Sequence, residues 1–324
     1  MSRLPTVSSR IRTAGVALVA VLATAGAAFG QAVQVDESLP RYEKTTGVSG
    51  SVKSVGSDTL NNLMTLWAEE FKKFYPNVNV EIEGKGSSTA PPALIEGTAQ
   101  LGPMSRAMKG SETDAFVNQY GYEPTPVRVA VDALAVFVHK DNPVKSLTMD
   151  QMRRIFSVEG KDGITWGDVG VTDREFADKP ISLYGRNSAS GTYGFFKEQA
   201  LGDADFKASV KEQPGSSSVV QGVASDRFAI GYSGIGYRTA DVRAVAIDGV
   251  EATADNAYAG EYPLARFLYV YLNISPDNEA SPVVREFVKL IFSQQGQQVV
   301  IKDGYFPVTQ QIAQEDLKKA KAAE

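Results

Sequence analysis

Apolar residues at Leu60, Leu63, Met64, Trp67, Phe71 and Phe74 repeat with the spacing of one helical face, and Pro76 follows where that helix must stop. Val78, Val80 and Ile82 then alternate as in a strand. The same change of period continues along the chain. A short strand over 50–55 precedes the first helix, a helix over about 91–96 follows the second strand, and a short strand ends in LGPMSRAM. After a helix through ETDAFVNQY, the run PVRVAVDALAVFVH reads as one long strand or two consecutive ones. From Asn142 a second series begins: a helix over TMDQMRRIF capped by Thr148, a strand over PISLYGR, and helices over SGTYGFFKEQAL and SSSVVQGVAS. FAIGYSG, VRAVAI and RFLYVYLN are β-prone, and SPVVREFVKLIF and TQQIAQEDLKKAKAA close the chain as helices. Alternating strands and helices imply an α/β protein with a mostly parallel sheet flanked by helices, here in two units of similar type.

The first thirty residues stand apart. Arg3, Arg10 and Arg12 give a positive start, residues 14–29 are apolar but short for a membrane span, and Ala28 and Gly30 provide small residues before Gln31. This is the pattern of a cleaved secretory signal peptide, which places the mature chain in the periplasm; a retained anchor is the alternative. Residues 31–49 are polar and aperiodic and are expected to be a flexible lead-in.

Charge and composition exclude several classes. The 324 residues carry 33 Lys and Arg against 38 Asp and Glu, so no basic field for nucleic acid exists. Loss of three arginines and no acid with the leader would take the net charge from −5 to −8. There is no cysteine and only one histidine, His139, which removes thiolate chemistry and histidine-rich metal sites. No metal and no cofactor is expected. His139 reads as an exposed strand end, and Tyr232, Tyr237, Tyr269 and Tyr271 as packing residues.

Four loops fall between a strand and a helix: GSDT (56–59), GKGSST (84–89), GPMSR (102–106) and GRNSASGT (185–192). In open α/β sheets such loops gather at the carboxyl ends of strands, where helix N-termini present unpaired N–H groups. Small residues, hydroxyls and two arginines suit a tetrahedral oxyanion. The candidates are Ser57, Asp58, Thr59, Ser87, Ser88, Ser105, Arg106, Arg186, Ser188, Ser190, Gly191 and Thr192. Each has a plainer reading. Ser57 and Asp58 could cap the helix of Trp67, Ser87 and Ser88 the helix after Gly86, and Arg106 could be a surface arginine.

Taken together, VGSDTLNNLM, EGKGSST, VAVDALAVFVHKDNPV, RNSASGT, FAIGYSGIGY and DGYFPV resemble the periplasmic phosphate-binding proteins of ABC transporters, over residues 50 to about 312. The resemblance implies a two-lobed type II periplasmic binding protein with its ligand in the cleft between lobes. The expected lobes are 50–134 plus 260–324, and 135–259. It also implies a non-enzymatic monomer that captures inorganic phosphate and delivers it to a membrane permease. Residue by residue it points to Ser57, Asp58 and Thr59, to Gly86, Ser87 and Ser88, and to Arg186, Ser190, Gly191 and Thr192, with Arg186 as charge partner.

One position departs from the family. Where many members carry an aspartate that accepts the phosphate proton, this chain has Ser105 and Arg106. Such an acceptor separates protonated phosphate from sulfate, by roughly four to five powers of ten where polar pairing is complete. Asp58 and Asp132 are the available replacements, Asp132 having as its plainer reading a hinge hydrogen bond or a salt bridge to Arg106 or Arg128. The missing loop aspartate leaves open another oxyanion, such as sulfate, molybdate or tungstate. A serine hydrolase built on Ser190 is disfavoured, because His139 is the only histidine available as base.

Overall fold

The structure, a computed structural model, describes residues 33–323, which form one compact unit. The expected signal peptide lies outside the described residues. The chain begins with β1 (Ser51–Gly56), α1 (Asn61–Phe74), β2 (Asn79–Gly84), α2 (Ala90–Ile95), β3 (Leu101–Met104) and α3 (Gly110–Tyr120). The apolar stripe of α1 buries Leu63, Met64, Trp67 and Phe71, with Phe71 edge-on to Phe287 at 5.2 Å. Strand β2 lies at the sheet edge, and its alternation of exposed and half-buried positions matches one covered face.

Next comes β4 (Thr125–His139), a single strand of 15 residues, followed by β5 (Ser146–Leu147) and α4 (Met149–Phe156). Every residue from Val129 to Val138 is buried, which explains the continuous apolar run: both faces of the strand are covered. Thr148 caps α4 by accepting from the Gln151 N–H at 3.1 Å. Then follow β6 (Ser182–Arg186), α5 (Gly191–Leu201), β7 (Lys211–Gln213), α6 (Ser216–Ala224), β8 (Ala229–Gly234), β9 (Val242–Ala244) and β10 (Ala246–Ile247). The chain ends with α7 (Ala254–Tyr258), β11 (Ala265–Leu272), α8 (Pro282–Ile291), α9 (Gln294–Lys302) and α10 (Gln310–Lys319).

The main sheet runs β2-β1-β3-β11-β4-β8-β6-β7, with β9 also on β4. Parallel pairing holds within β2-β1-β3 and within β8-β6-β7, whereas β11 and β4 run antiparallel to their neighbours. The fold is therefore mixed α/β. Strand β4 joins the two parallel sets: Thr125–Ala133 pairs with β11, and Leu134–Val138 pairs with β8. Because β1, β2 and β3 are parallel, their carboxyl ends open on one edge, and β6 brings its own end to the same place.

Two stretches differ from expectation. Residues 33–49 form no regular element, but Leu39 and Tyr42 are buried, and Tyr42 is bonded to Tyr75 and Glu286 at 2.8 Å each. The expected flexible lead-in is thus packed against the body by two apolar anchors that its polar composition hides. VRAVAI, read as one strand, divides between β9 on β4 and β10 on β5.

Candidate functional site

The four strand-end loops meet. Gly86 adopts φ +116°, open to glycine without strain, and a Cβ there would lie 2.5 Å from the Ala189 carbonyl oxygen. A Cβ on Gly191 would come within 2.2 Å of Ser87 Oγ and 2.8 Å of Ser105 Oγ. Glycine at both positions lets the GKGSST and GRNSASGT loops touch through backbone. Ser88 completes the contact, its N–H and hydroxyl donating to Ala189 O at 3.2 and 3.1 Å. Neither Ser87 nor Ser88 caps the helix that follows.

At the centre lies a chain of buried hydroxyls. Thr59 Oγ1 is 2.8 Å from Thr192 Oγ1, which is 3.4 Å from Ser105 Oγ, which is 3.3 Å from Ser87 Oγ. The direction of several bonds is fixed, because an N–H can only donate. Ser87 Oγ accepts from Ser105 N–H at 3.0 Å. Ser190 Oγ, capping α5, accepts from Thr192 and Tyr193 N–H at 3.2 and 3.4 Å. Each oxygen is the acceptor in those bonds and keeps its own O–H to give away. Thr192 Oγ1 is in the same position, since the Arg266 guanidinium donates to it at 3.0 Å. The cluster is poised to donate.

Two arginines flank these hydroxyls, and only one of them is on a motif. Arg186, 1% exposed, donates to Ser216 Oγ at 2.8 Å and lies 3.3 Å from Asp58 Oδ2, while its buried Nε–H has no partner. Burial lowers its guanidinium from the ordinary value, and Asp58 opposes that. Asp58 does not cap its own helix; its Oδ2 accepts from Ser216 N–H at 2.8 Å, capping α6 from the opposite side. Its other oxygen, Oδ1, accepts no hydrogen bond among the described residues. Tyr237 reaches across to donate to the carbonyls of Asp58 and Thr59 at 3.0 and 3.3 Å, and Tyr305 donates to Thr59 O at 2.9 Å. Ser57 is buried and held by its N–H to Pro103 O at 2.7 Å.

The second buried cation is Arg266. It binds Asp132 Oδ2 through Nε and Nη2 at 3.0 and 2.8 Å and Ser105 O through Nη1 at 2.8 Å. Asp132 therefore pairs with neither Arg106 nor Arg128; the latter is held by Asp316 and Glu315. Its Oδ1 takes the Ile235 N–H at 3.0 Å. Sequence reading passed over Arg266 because it sits within a β-prone run, without glycine or serine neighbours. Its place opposite Asp132 is set by the pairing of β11 with β4, which no local pattern in the sequence records.

Arg106 and Ser188 stand outside the hydroxyl cluster. Arg106 makes a bidentate pair with Glu112 at 2.7 Å for each bond, on its own side of the site. Both line an outer cleft of about 710 Å³ that also exposes edges of Ser190, Tyr193 and Arg266. Tyr232 packs as expected, stacked on Phe196 at 4.0 Å, whereas Tyr237 belongs to the site. His139 lies at the end of β4, its Nδ1 accepting from Asp141 N–H at 3.2 Å. Among the described residues, no three of the His, Asp and Glu side chains group as a metal site, and no helix is long and apolar enough to cross a membrane.

Comparison with known proteins agrees with this arrangement. Residues 42–295 match the PBP superfamily domain. The chain is 56% identical to the phosphate-binding protein PstS of Pseudomonas aeruginosa PAO1, over 94% of this chain and 97% of that one. It is 30% identical to PstS of Bacillus subtilis 168, over 81% and 82%. Among solved structures, a substrate-binding protein assigned to a phosphate ABC transporter of Clostridium perfringens, with phosphate bound, superposes with a TM-score of 0.69 at 30% identity, covering 80% of this chain and 99% of that one. The relatives are binding proteins by name, and the type II periplasmic binding fold is theirs. The chain belongs to the PBP superfamily and, within it, to the family of these phosphate-binding proteins.

Proposed function

We propose that this chain is an extracytoplasmic solute-binding protein that captures one inorganic phosphate among the strand-end loops and delivers it to the permease of an ABC transporter. The observation that carries the reading is the donor character of the site: Ser87, Ser190 and Thr192 each accept an N–H and so keep a hydroxyl hydrogen to donate. A surface of donors with Arg186 Nε–H left unpaired is matched by an oxyanion, whose oxygens accept. A local set of directed donors prevails over an acidic net charge, which acts through a field screened over about 8 Å.

The phosphate O–H donates a hydrogen bond to Asp58. Its Oδ1 has no donor among the described residues, whereas both oxygens of Asp132 are engaged by Arg266 and Ile235. The stretches 50–134 with 260–324 and 135–259 act as two lobes that close on the ligand and hold it away from water. The protein works outside the cytoplasm after loss of its leader, as a monomer that binds and releases its ligand unchanged.

The test is the Asp58→Asn variant, titrated with phosphate and with sulfate. Asparagine keeps the shape but can present an N–H where phosphate needs an acceptor. Phosphate affinity is expected to fall about 100-fold or more while sulfate gains. An unchanged phosphate-to-sulfate ratio removes Asp58 from this role.

A further inference from the structure

Arg266 and Asp132 are direct cross-strand partners on β11 and β4, one position before β4 leaves β11 for β8. Both side chains are buried, at 3% and 0% exposure. From this point the pair reaches three other segments. Arg266 donates to Ser105 O after β3 and to Thr192 Oγ1 at the start of α5, Asp132 accepts from Ile235 N–H after β8, and the guanidinium lies 5.1 Å from the Phe195 ring. A planar fork with fixed N–H directions can serve three acceptors at once, which an ammonium on a flexible stem cannot.

We propose that Arg266, clamped by Asp132, is a positioning and specificity-determining residue of the anion site: it takes up one acceptor position of Thr192, biasing that hydroxyl toward donation, and supplies a second cation whose excess charge Asp132 cancels. The inference rests on the phosphate reading above. Donation from a guanidinium occupies a lone pair of Thr192 Oγ1, so its hydrogen turns to Thr59, Ser105 or the ligand. Asp132 then matters in a way distinct from Asp58. With it, the two arginines Arg186 and Arg266 face the two carboxylates Asp58 and Asp132, and an entering anion meets oriented dipoles rather than net positive charge. Discrimination then falls to hydrogen-bond matching, which separates phosphate from sulfate, and not to charge, which does not.

The experiment titrates phosphate and sulfate into the wild type, Asp132→Asn and the charge-free double variant Asp132→Asn/Arg266→Gln, across the pH range in which phosphate passes from monoanion to dianion. Wild-type phosphate binding tests the underlying reading by itself. Given that binding, Asp132→Asn should leave Arg266 uncompensated and raise sulfate affinity relative to phosphate about 10-fold or more. The double variant, which leaves no buried unpaired charge, should lose about 10- to 100-fold in phosphate affinity. Its residual affinity should shift toward the monoanion at lower pH, a change that strand bracing alone would not cause. If the double variant folds poorly, Arg266→Lys, which keeps the charge and loses the fork, should still weaken phosphate about 10-fold. Wild-type affinity, selectivity and pH profile in these variants would overturn the proposal.

Discussion

The Arg186–Asp58 and Arg106–Glu112 pairs have the same chemistry and lie on loops of the same kind, after a strand and before a helix. Arg106 finds its carboxylate six residues on, in the helix that its own loop begins. Arg186 finds its partner on a loop of the opposite parallel set, and the same carboxylate caps α6. The local pair is complete without the rest of the protein. The distant pair forms only when the loops of both sets are together, and it leaves a buried N–H of Arg186 without a partner. What separates the two arginines is the origin of their counter-charge, which a motif read along the chain does not record.

That comparison can be broken at several points. The largest effect should come from Arg186→Ala. Loss of a desolvated charge contact costs about 2–5 kcal/mol, so phosphate affinity should fall about 30-fold or more by calorimetry while circular dichroism stays native. Gly191→Ala comes next. Its methyl would collide with the hydroxyls of Ser87 and Ser105, holding the loops apart, and a cost of about 1–3 kcal/mol predicts roughly 10- to 100-fold weaker binding.

A separate effect concerns stability. Burial pushes Asp303 from its ordinary 3.8 up to about 6, against a hydrogen bond from Asn62, and its Oδ2 is buried without a partner. The folded state then holds the proton more tightly than the unfolded state does. Stability falls as pH rises from about 4 through 6, and the full cost is present at pH 7. Asp303→Asn should raise the thermal midpoint at pH 7 by an amount equivalent to about 2–3 kcal/mol and do little at pH 4. A gain of equal size at both pH values would assign the effect to something other than the charge. The smallest effect sharpens the contrast itself: Arg106→Ala should change phosphate affinity by less than about threefold, the worth of a partly exposed pair. A loss approaching that of Arg186→Ala would show that the two arginines share the ligand.

Local signals in the sequence carried much of this fold. The α1 stripe, the Thr148 cap and the buried run of β4 follow from period, capping and burial, which neighbours in sequence decide. Helix α9 escaped notice because its glutamines and glycine lack an apolar stripe; Ser293 starts it by accepting the Gly296 N–H, and Gln297 is buried through bonds to Val129 and Ile291 carbonyls. The glycine and hydroxyl loops read from their placement after strands are brought together in the fold, with Thr59, Ser87, Ser105 and Thr192 in one chain of hydroxyls. Arg266 and Tyr237 escaped because each reaches the site across the sheet, from segments whose composition describes packing. Pairing between distant strands, not local pattern, brings them there.

The most direct measurement is calorimetric titration of the mature protein, stripped of ligand, with phosphate and then sulfate near neutral pH. A set of directed donors with one open carboxylate oxygen predicts tight one-to-one binding of phosphate and no heat from sulfate at matched concentration. Comparable binding of sulfate would contradict the role of that oxygen, and binding of neither would contradict the oxyanion site.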